Sequence, residues 1–144
     1  MRVGIVGATG QVGGVMRRIL LERSFPIEEL RFFASARSAG TRLEWGDTDI
    51  IVEDASKADY TGLDIALFSA GKTTSLTLAE QVASQEVLVI DNSSAWRMDP
   101  HVPLVVPEVN ADAVINAPKG IIANPNCTTL SLIHICPLPT SDLV

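Results

Sequence analysis

Arg2-Val3-Gly4-Ile5-Val6-Gly7-Ala8-Thr9-Gly10-Gln11-Val12-Gly13 opens the chain, and this stretch decides the fold. Val3, Ile5 and Val6 make a short β-branched run, and Val15, Met16, Ile19 and Leu20 follow the glycines at helical spacing. Strand, glycine turn and helix are the first half of a βαβ unit. In that setting the glycines divide the work: a tight turn, a close backbone approach to a pyrophosphate, and close packing of helix on strand. The spacing G-x-x-G-x-x-G is a relative of the dinucleotide fingerprint G-x-G-x-x-G. Gly7, Gly10 and Gly13 are therefore expected at a dinucleotide, with a ligand-free Gly-rich turn as the alternative.

Outward from there, Leu30 to Ser35 reads as the second strand, whose end belongs beside the adenosine ribose. An NAD site places a carboxylate there, but this chain has Ser35-Ala36-Arg37-Ser38. An arginine between hydroxyls suits a 2′-phosphate and leaves no carboxylate in the stretch to repel it, which points to NADP. The alternative for Arg37 is a solvated loop charge. Thr41 to Glu53 alternates around Gly46-Asp47 as two strands joined by a turn, with a structural role. Asp64 to Ser69 is a further buried strand ending in Ala70-Gly71, where Gly71 either passes close to the cofactor or simply turns the chain. Thr73 or Thr74 is the expected cap of a helix running to about Ser84, and Val87 to Asp91 is the next strand. Strands alternating with helices predict an α/β, doubly wound parallel sheet.

The far end carries the chemistry. Asn92-Ser93-Ser94-Ala95-Trp96-Arg97 follows a strand's carboxyl end, where open α/β sheets bind ligands, and Arg97 is its one cation. A guanidinium there offers a bidentate contact to phosphate or carboxylate; a surface arginine is the alternative. Pro100, Pro103 and Pro107 bracket an extended Leu104-Val105-Val106, and Glu108-Val109-Asn110 leads into a short helix ending near Pro118. Gly120 to Ala123 reads as a buried strand, and Asn124-Pro125-Asn126-Cys127-Thr128-Thr129 opens a helix. A thiol in a helix's first turn meets unpaired backbone N–H groups and the positive end of the macrodipole, which favours the thiolate nucleophile. From position alone, Cys127 reads equally as a small buried apolar residue.

Bulk properties bound the answer. The 144 residues are about one domain, with 47% hydrophobic and 19% charged residues, and the net charge of −6 argues against nucleic acid and anionic membranes as partners. No apolar run approaches a membrane span, and no secretory h-region precedes the first strand. Two cysteines, Cys127 and Cys136, make no disulfide framework and fit a cytoplasmic location. His101 and His134 stand alone, so no metal site is expected.

Five motifs occur together and in order: Gly7 to Gly13, Ala34 to Ser38, Asp91 to Arg97, Val105-Val106-Pro107-Glu108-Val109-Asn110, and Asn124 to Thr129. That set closely resembles the aspartate-semialdehyde dehydrogenases over residues 1 to about 130. The resemblance implies an NADP-binding Rossmann domain over 1–126 and, from 127, the start of a catalytic and dimerisation domain of a homo-oligomer. It implies reductive dephosphorylation of aspartyl phosphate to aspartate semialdehyde, on the route to lysine, threonine and methionine. Carried over by position, Cys127 is the nucleophile that forms a thioester, while Arg97, with Asn126, holds the substrate and its phosphate. Thr9, Gly10, Gln11, Val12, Ser35, Arg37, Ser38 and Gly71 contact NADP.

The family's histidine base, glutamine and second arginine lie far downstream and have no counterpart here, so the chain is expected to show no turnover by itself. His101 and His134 are expected bystanders. Pro137 and Pro139 break the last helix, and the stretch to Val144 resembles nothing in the family. A foreign tail beginning between Leu130 and His134, including Cys136, is the expectation. Three rivals remain. An N-acetylglutamyl-phosphate reductase shares the thioester logic, but there a glycine typically precedes the cysteine, where Asn126 stands here. A short-chain dehydrogenase needs Tyr-x-x-x-Lys, and Tyr60 has Asp64 four residues on. An NADP-binding remnant without catalysis is the third.

Overall fold

A computed structural model describes residues 1–135; Cys136 and the proline-rich stretch after it lie outside the described residues. Elements follow in the order β1 (Arg2–Val6), α1 (Gln11–Glu22), β2 (Glu29–Ala34), β3 (Arg42–Trp45), β4 (Thr48–Asp54), β5 (Ile65–Phe68), α2 (Lys72–Ala83) and β6 (Leu88–Asp91). Then come α3 (Pro107–Asn110), a 3-10 turn (Ala111–Ile115), β7 (Ile121–Ala123) and α4 (Cys127–Ile135).

One sheet takes the order β3-β4-β2-β1-β5-β6-β7, parallel except for the β3–β4 hairpin. The doubly wound α/β reading holds. The hairpin does more than the sequence suggests, because β4 also pairs in parallel with β2 and so joins the main sheet. The chain runs outward from β1 through β2 and then returns to place β5 on the other side of β1. Strand order therefore reverses between β1 and β5, where open α/β sheets form a crevice.

Period-two alternation divides the core between the faces. Ile5, Ala8, Phe32, Ala34 and Val52 pack with Met16 and Leu20 of α1. Val6, Phe33, Phe68 and Val89 pack with Leu78, Ala79 and Val82 of α2, together with Tyr60 and Trp96. Register aligns the strand ends. Val6 pairs with Phe33 and Phe68, Ala34 with Asp54, Phe68 with Asp91, and Asp91 with Ala123. The residues that follow, Gly7, Ser35, Ala55, Ser69, Asn92 and Asn124, thus lie along one rim.

Candidate functional site

The rim has two halves. On one side lies a cleft of about 480 Å³ lined by Gly7, Thr9 and Gly10, by Ser35, Ala36, Asp54 and Ser56, and by Ser69, Ala70, Thr73, Thr74, Thr77 and Leu78. Its walls are built without bulk. Gly7 has φ +91°, and a Cβ there would stand 2.9 Å from the Ala70 nitrogen. The Phe33 carbonyl accepts from both Gly7 N–H (2.8 Å) and Ala8 N–H (3.1 Å), which clamps the turn to β2. Gly10 caps α1 with no side-chain hydrogen bond to the first turn, so those N–H groups are left to a ligand. A side-chain-free turn at an uncapped helix N-terminus fits a pyrophosphate.

Of the residues expected at the cofactor, Gly7, Thr9, Gly10 and Ser35 line this cleft. Gln11 and Val12 are exposed in the first turn of α1, while Gly13 is buried where α1 crosses the glycine turn. Arg37 is exposed in the turn after β2, and the Ser38 carbonyl accepts from the Thr41 hydroxyl at 2.8 Å. Gly71 is the N-cap of α2 at φ +85°. Thr73 and Thr74 are thus not the cap; the cap is Gly71 and the helix begins at Lys72, and both threonines face the cleft. Sequence reading missed Asp54 entirely. It is the one charged side chain among the described residues lining the cleft, brought beside Ser35 by the β2–β4 pairing.

The other half holds Arg97 and Cys127. Arg97 donates from Nε to the Asn124 carbonyl (2.9 Å) and from Nη2 to the Asn92 carbonyl (3.2 Å), leaving Nη1 as the nitrogen that neither carbonyl engages. Asn124 Nδ2 donates to Asn92 Oδ1 at 2.7 Å, tying the two loops together. Asp91 is buried and accepts from Ser93 N–H (3.2 Å) and Ser93 hydroxyl (2.6 Å), shaping the loop that carries Arg97. Three residues beyond Asn124, Cys127 is exposed at the start of α4, which removes the buried apolar reading. Asn126 is that helix's cap: its Oδ1 accepts from Thr128 N–H at 3.0 Å and from the Cys127 thiol at 3.3 Å. A glycine there could do neither.

A clamp braces the Arg97 loop from behind. Lys119 Nζ reaches Asp99 Oδ2 (2.9 Å) and Glu80 Oε1 (3.1 Å) and lies 5.2 Å over the Trp96 ring. Trp96 in turn donates from Nε1 to the buried Ser75 hydroxyl of α2 at 2.9 Å. Ser75→Ala strands that indole N–H in the core and is expected to cost about 1–3 kcal/mol, read in a chemical melt. An unchanged midpoint would show that the bond contributes nothing net.

The carboxylates set the pH response. Lys119, then the His101 N–H, hold Asp99 below its ordinary value; the Arg2 N–H and guanidinium do so for Asp64, and the Ser56 hydroxyl and N–H for Asp54. Groups lowered on folding contribute stability that is fully present above their unfolded value, about 3.9, and is lost as pH falls through the folded ones. The melting temperature is therefore expected to hold above about pH 5 and decline below about pH 4. A melt unchanged at acid pH contradicts these pairings. Tyr60 is no acid–base group: burial pushes its phenol up, and its hydroxyl donates to the Ala55 carbonyl at 2.8 Å. That disposes of the short-chain dehydrogenase rival. Among the described residues no cluster fit for a metal occurs, and no helix is long and apolar enough to cross a membrane.

Comparison with known proteins gives the same picture. Residues 2–117 match the family described as semialdehyde dehydrogenase, NAD binding domain. The aspartate-semialdehyde dehydrogenase of Streptomyces akiyoshiensis is 69% identical over 135 residues, covering 94% of this chain and 39% of that protein. Aspartate semialdehyde dehydrogenase II of Vibrio cholerae, solved in complex with ASA, superposes with a TM-score of 0.88 at 44% identity, over 92% of this chain and 44% of that one. The Candida albicans enzyme, solved with NADP, gives 0.72 at 28% identity, over 92% and 44%. The chain spans about two fifths of the length of the curated relatives it matches. With the glycine turn, the switch-point cleft and the matched span in agreement, the chain belongs to the semialdehyde dehydrogenase family through its nicotinamide-dinucleotide-binding domain.

Proposed function

We propose that this chain is the cofactor-binding and nucleophile-bearing part of an NADP-dependent aspartate-semialdehyde dehydrogenase. One observation carries the reading. Arg97 is bonded to the carbonyl of Asn124, in the same turn that delivers Cys127 to the rim beside the dinucleotide cleft. In this reading the Cys127 thiolate attacks the acyl carbon of aspartyl phosphate; the C–O bond to phosphate breaks, and phosphate leaves against Arg97. Gly7, Thr9, Gly10 and Ser35 would hold the dinucleotide in the cleft, where it would supply the hydride that reduces the Cys127 thioester. Asn126 caps the helix that carries the cysteine, and the C–S bond breaks to return the Cys127 thiolate as the aldehyde departs. Arg37, at the turn after β2, is the residue offered to a 2′-phosphate. In this reading Cys127, at the start of α4, opens the second domain.

The competing acyl-phosphate reductase reading is disfavoured by Asn126, whose side-chain oxygen accepts two hydrogen bonds here that a glycine has no atom to accept. The test reads Cys127 modification by iodoacetamide, peptide by peptide in a mass spectrometer. Inorganic phosphate is expected to slow labelling of Cys127 in the wild type and to give no protection in Arg97→Met. Labelling indifferent to phosphate would separate the arginine from the thiol and end this assignment.

A further inference from the structure

A carboxylate in a cleft built for a polyphosphate calls for an explanation. Asp54 is held rigidly there. Its Oδ1 accepts from Ser56 N–H (3.0 Å) and Ser56 hydroxyl (2.7 Å), and its carbonyl accepts from Lys57 and Ala58 N–H at 3.1 and 3.0 Å. The next residue is fixed on both sides: Ala55 N–H donates to the Ala34 carbonyl at 2.8 Å, and the Ala55 carbonyl takes the buried Tyr60 hydroxyl. Lys57, the nearest cation, stands 3.9 Å from Oδ2 with its own side chain 82% exposed, a weak partner. Oδ2 is therefore the strongest acceptor the cleft offers, and beside a phosphate it would repel.

Position says which part of a dinucleotide it meets. The glycine turn after β1 takes the pyrophosphate, and the end of β2 takes the adenosine ribose. β4 lies one strand farther out, about 4.8 Å beyond β2. A base bonded to that ribose reaches farther from the pyrophosphate, toward this outer strand. Ala36, Ala55 and Leu78, all small or apolar, line the cleft beside Asp54 and suit the faces of a flat ring. Adenine carries one exocyclic donor, its 6-amino group. The geometry points to Asp54 as the residue that selects adenine, accepting a hydrogen bond from the 6-amino group at Oδ2 while Oδ1 stays on Ser56. Guanine or hypoxanthine, with a carbonyl at that position, is rejected.

This rests on the cofactor reading above, and the test separates the two. Calorimetric titration of the 144-residue chain compares NADP, its hypoxanthine analogue and NAD. NADP is expected to bind about 10- to 100-fold more tightly than the hypoxanthine analogue, the range set by a hydrogen bond to a charged group. Asp54→Asn keeps an oxygen for Ser56 and offers an amide N–H to the 6-carbonyl, so the discrimination should collapse to within about threefold. The wild-type comparison needs no variant, so a misfolded Asp54→Asn does not rescue the idea. NADP binding with equal affinity for the hypoxanthine analogue overturns the adenine assignment and leaves the cofactor reading standing. Discrimination that persists in folded Asp54→Asn overturns Asp54 as its source. A wild-type preference for NAD that Asp54→Asn reverses assigns the carboxylate to the ribose 2′-hydroxyl instead. No binding of any dinucleotide ends both readings.

Discussion

Gly13→Ala is expected to remove dinucleotide binding and to destabilise the fold by about 3 kcal/mol or more, at the upper end of overpacking costs. A Cβ at Gly13 would lie 2.2 Å from the Gly7 carbonyl oxygen, 2.8 Å from Ala8 Cα and 3.0 Å from the Ala8 carbonyl carbon. All three are backbone atoms of the turn itself, so nothing can swing aside. Either α1 lifts from β1 or the turn opens, and both displace the N–H groups that face the cleft. The substitution also gains helix propensity, worth roughly 1 kcal/mol for Gly to Ala, which is too small to offset the collision. Gly14→Ala is the internal control. Its Cβ meets only the Arg17 Nη2 atom at 3.7 Å, so it should keep binding and gain up to roughly 1 kcal/mol. If thermal melts and NADP titrations of the two variants coincide, close packing of helix on turn is not what Gly13 provides.

Phe33→Ala should be the costliest truncation in the core, about 3–5 kcal/mol, or roughly 6–20 °C in melting temperature. The ring is fully buried and stacks on Tyr60 with centroids 4.5 Å apart and planes tilted 33°. The Arg31 guanidinium lies 4.9 Å from the ring centroid, itself held by Glu53 through two bonds of 2.8 and 2.7 Å. Gly4 leaves room for the ring: a Cβ there would stand 2.9 Å from Phe33 Cε2. Because the Phe33 carbonyl also clamps the glycine turn, weaker dinucleotide binding should accompany the lost stability. A loss under about 1 kcal/mol would mean the neighbours collapse into the space.

The order of elements was legible because periodicity and glycine placement are local signals. β1, the glycine turn, the hairpin around Gly46-Asp47, and the extended segment near Val105 appear where the sequence places them. The same holds for a cysteine at the first turn of α4. What escaped was long-range. Nothing near Asp54 in sequence announces that β4 pairs with β2 as well as β3, and that pairing alone carries the carboxylate to the cleft. Lys119 likewise reads as a loop charge until the fold sets it against Asp99, Glu80 and Trp96. At the start of α2 the chain used backbone freedom at Gly71 where a hydroxyl cap was the local expectation.

Strand order also dictates how this chain must be made. Val3 of β1 pairs with Ile65, so the central strand has β2 alone for company until β5 has been synthesised. At translation rates of about 5–20 residues per second, synthesis from Val6 to Phe68 takes roughly 3–12 s. Throughout it, a β-branched strand in the nascent chain shows an unpaired edge. Loop closure across that separation must precede any reward from pairing. The vulnerable moment in this protein's life is therefore on the ribosome, before Phe68 emerges, rather than in the folded state.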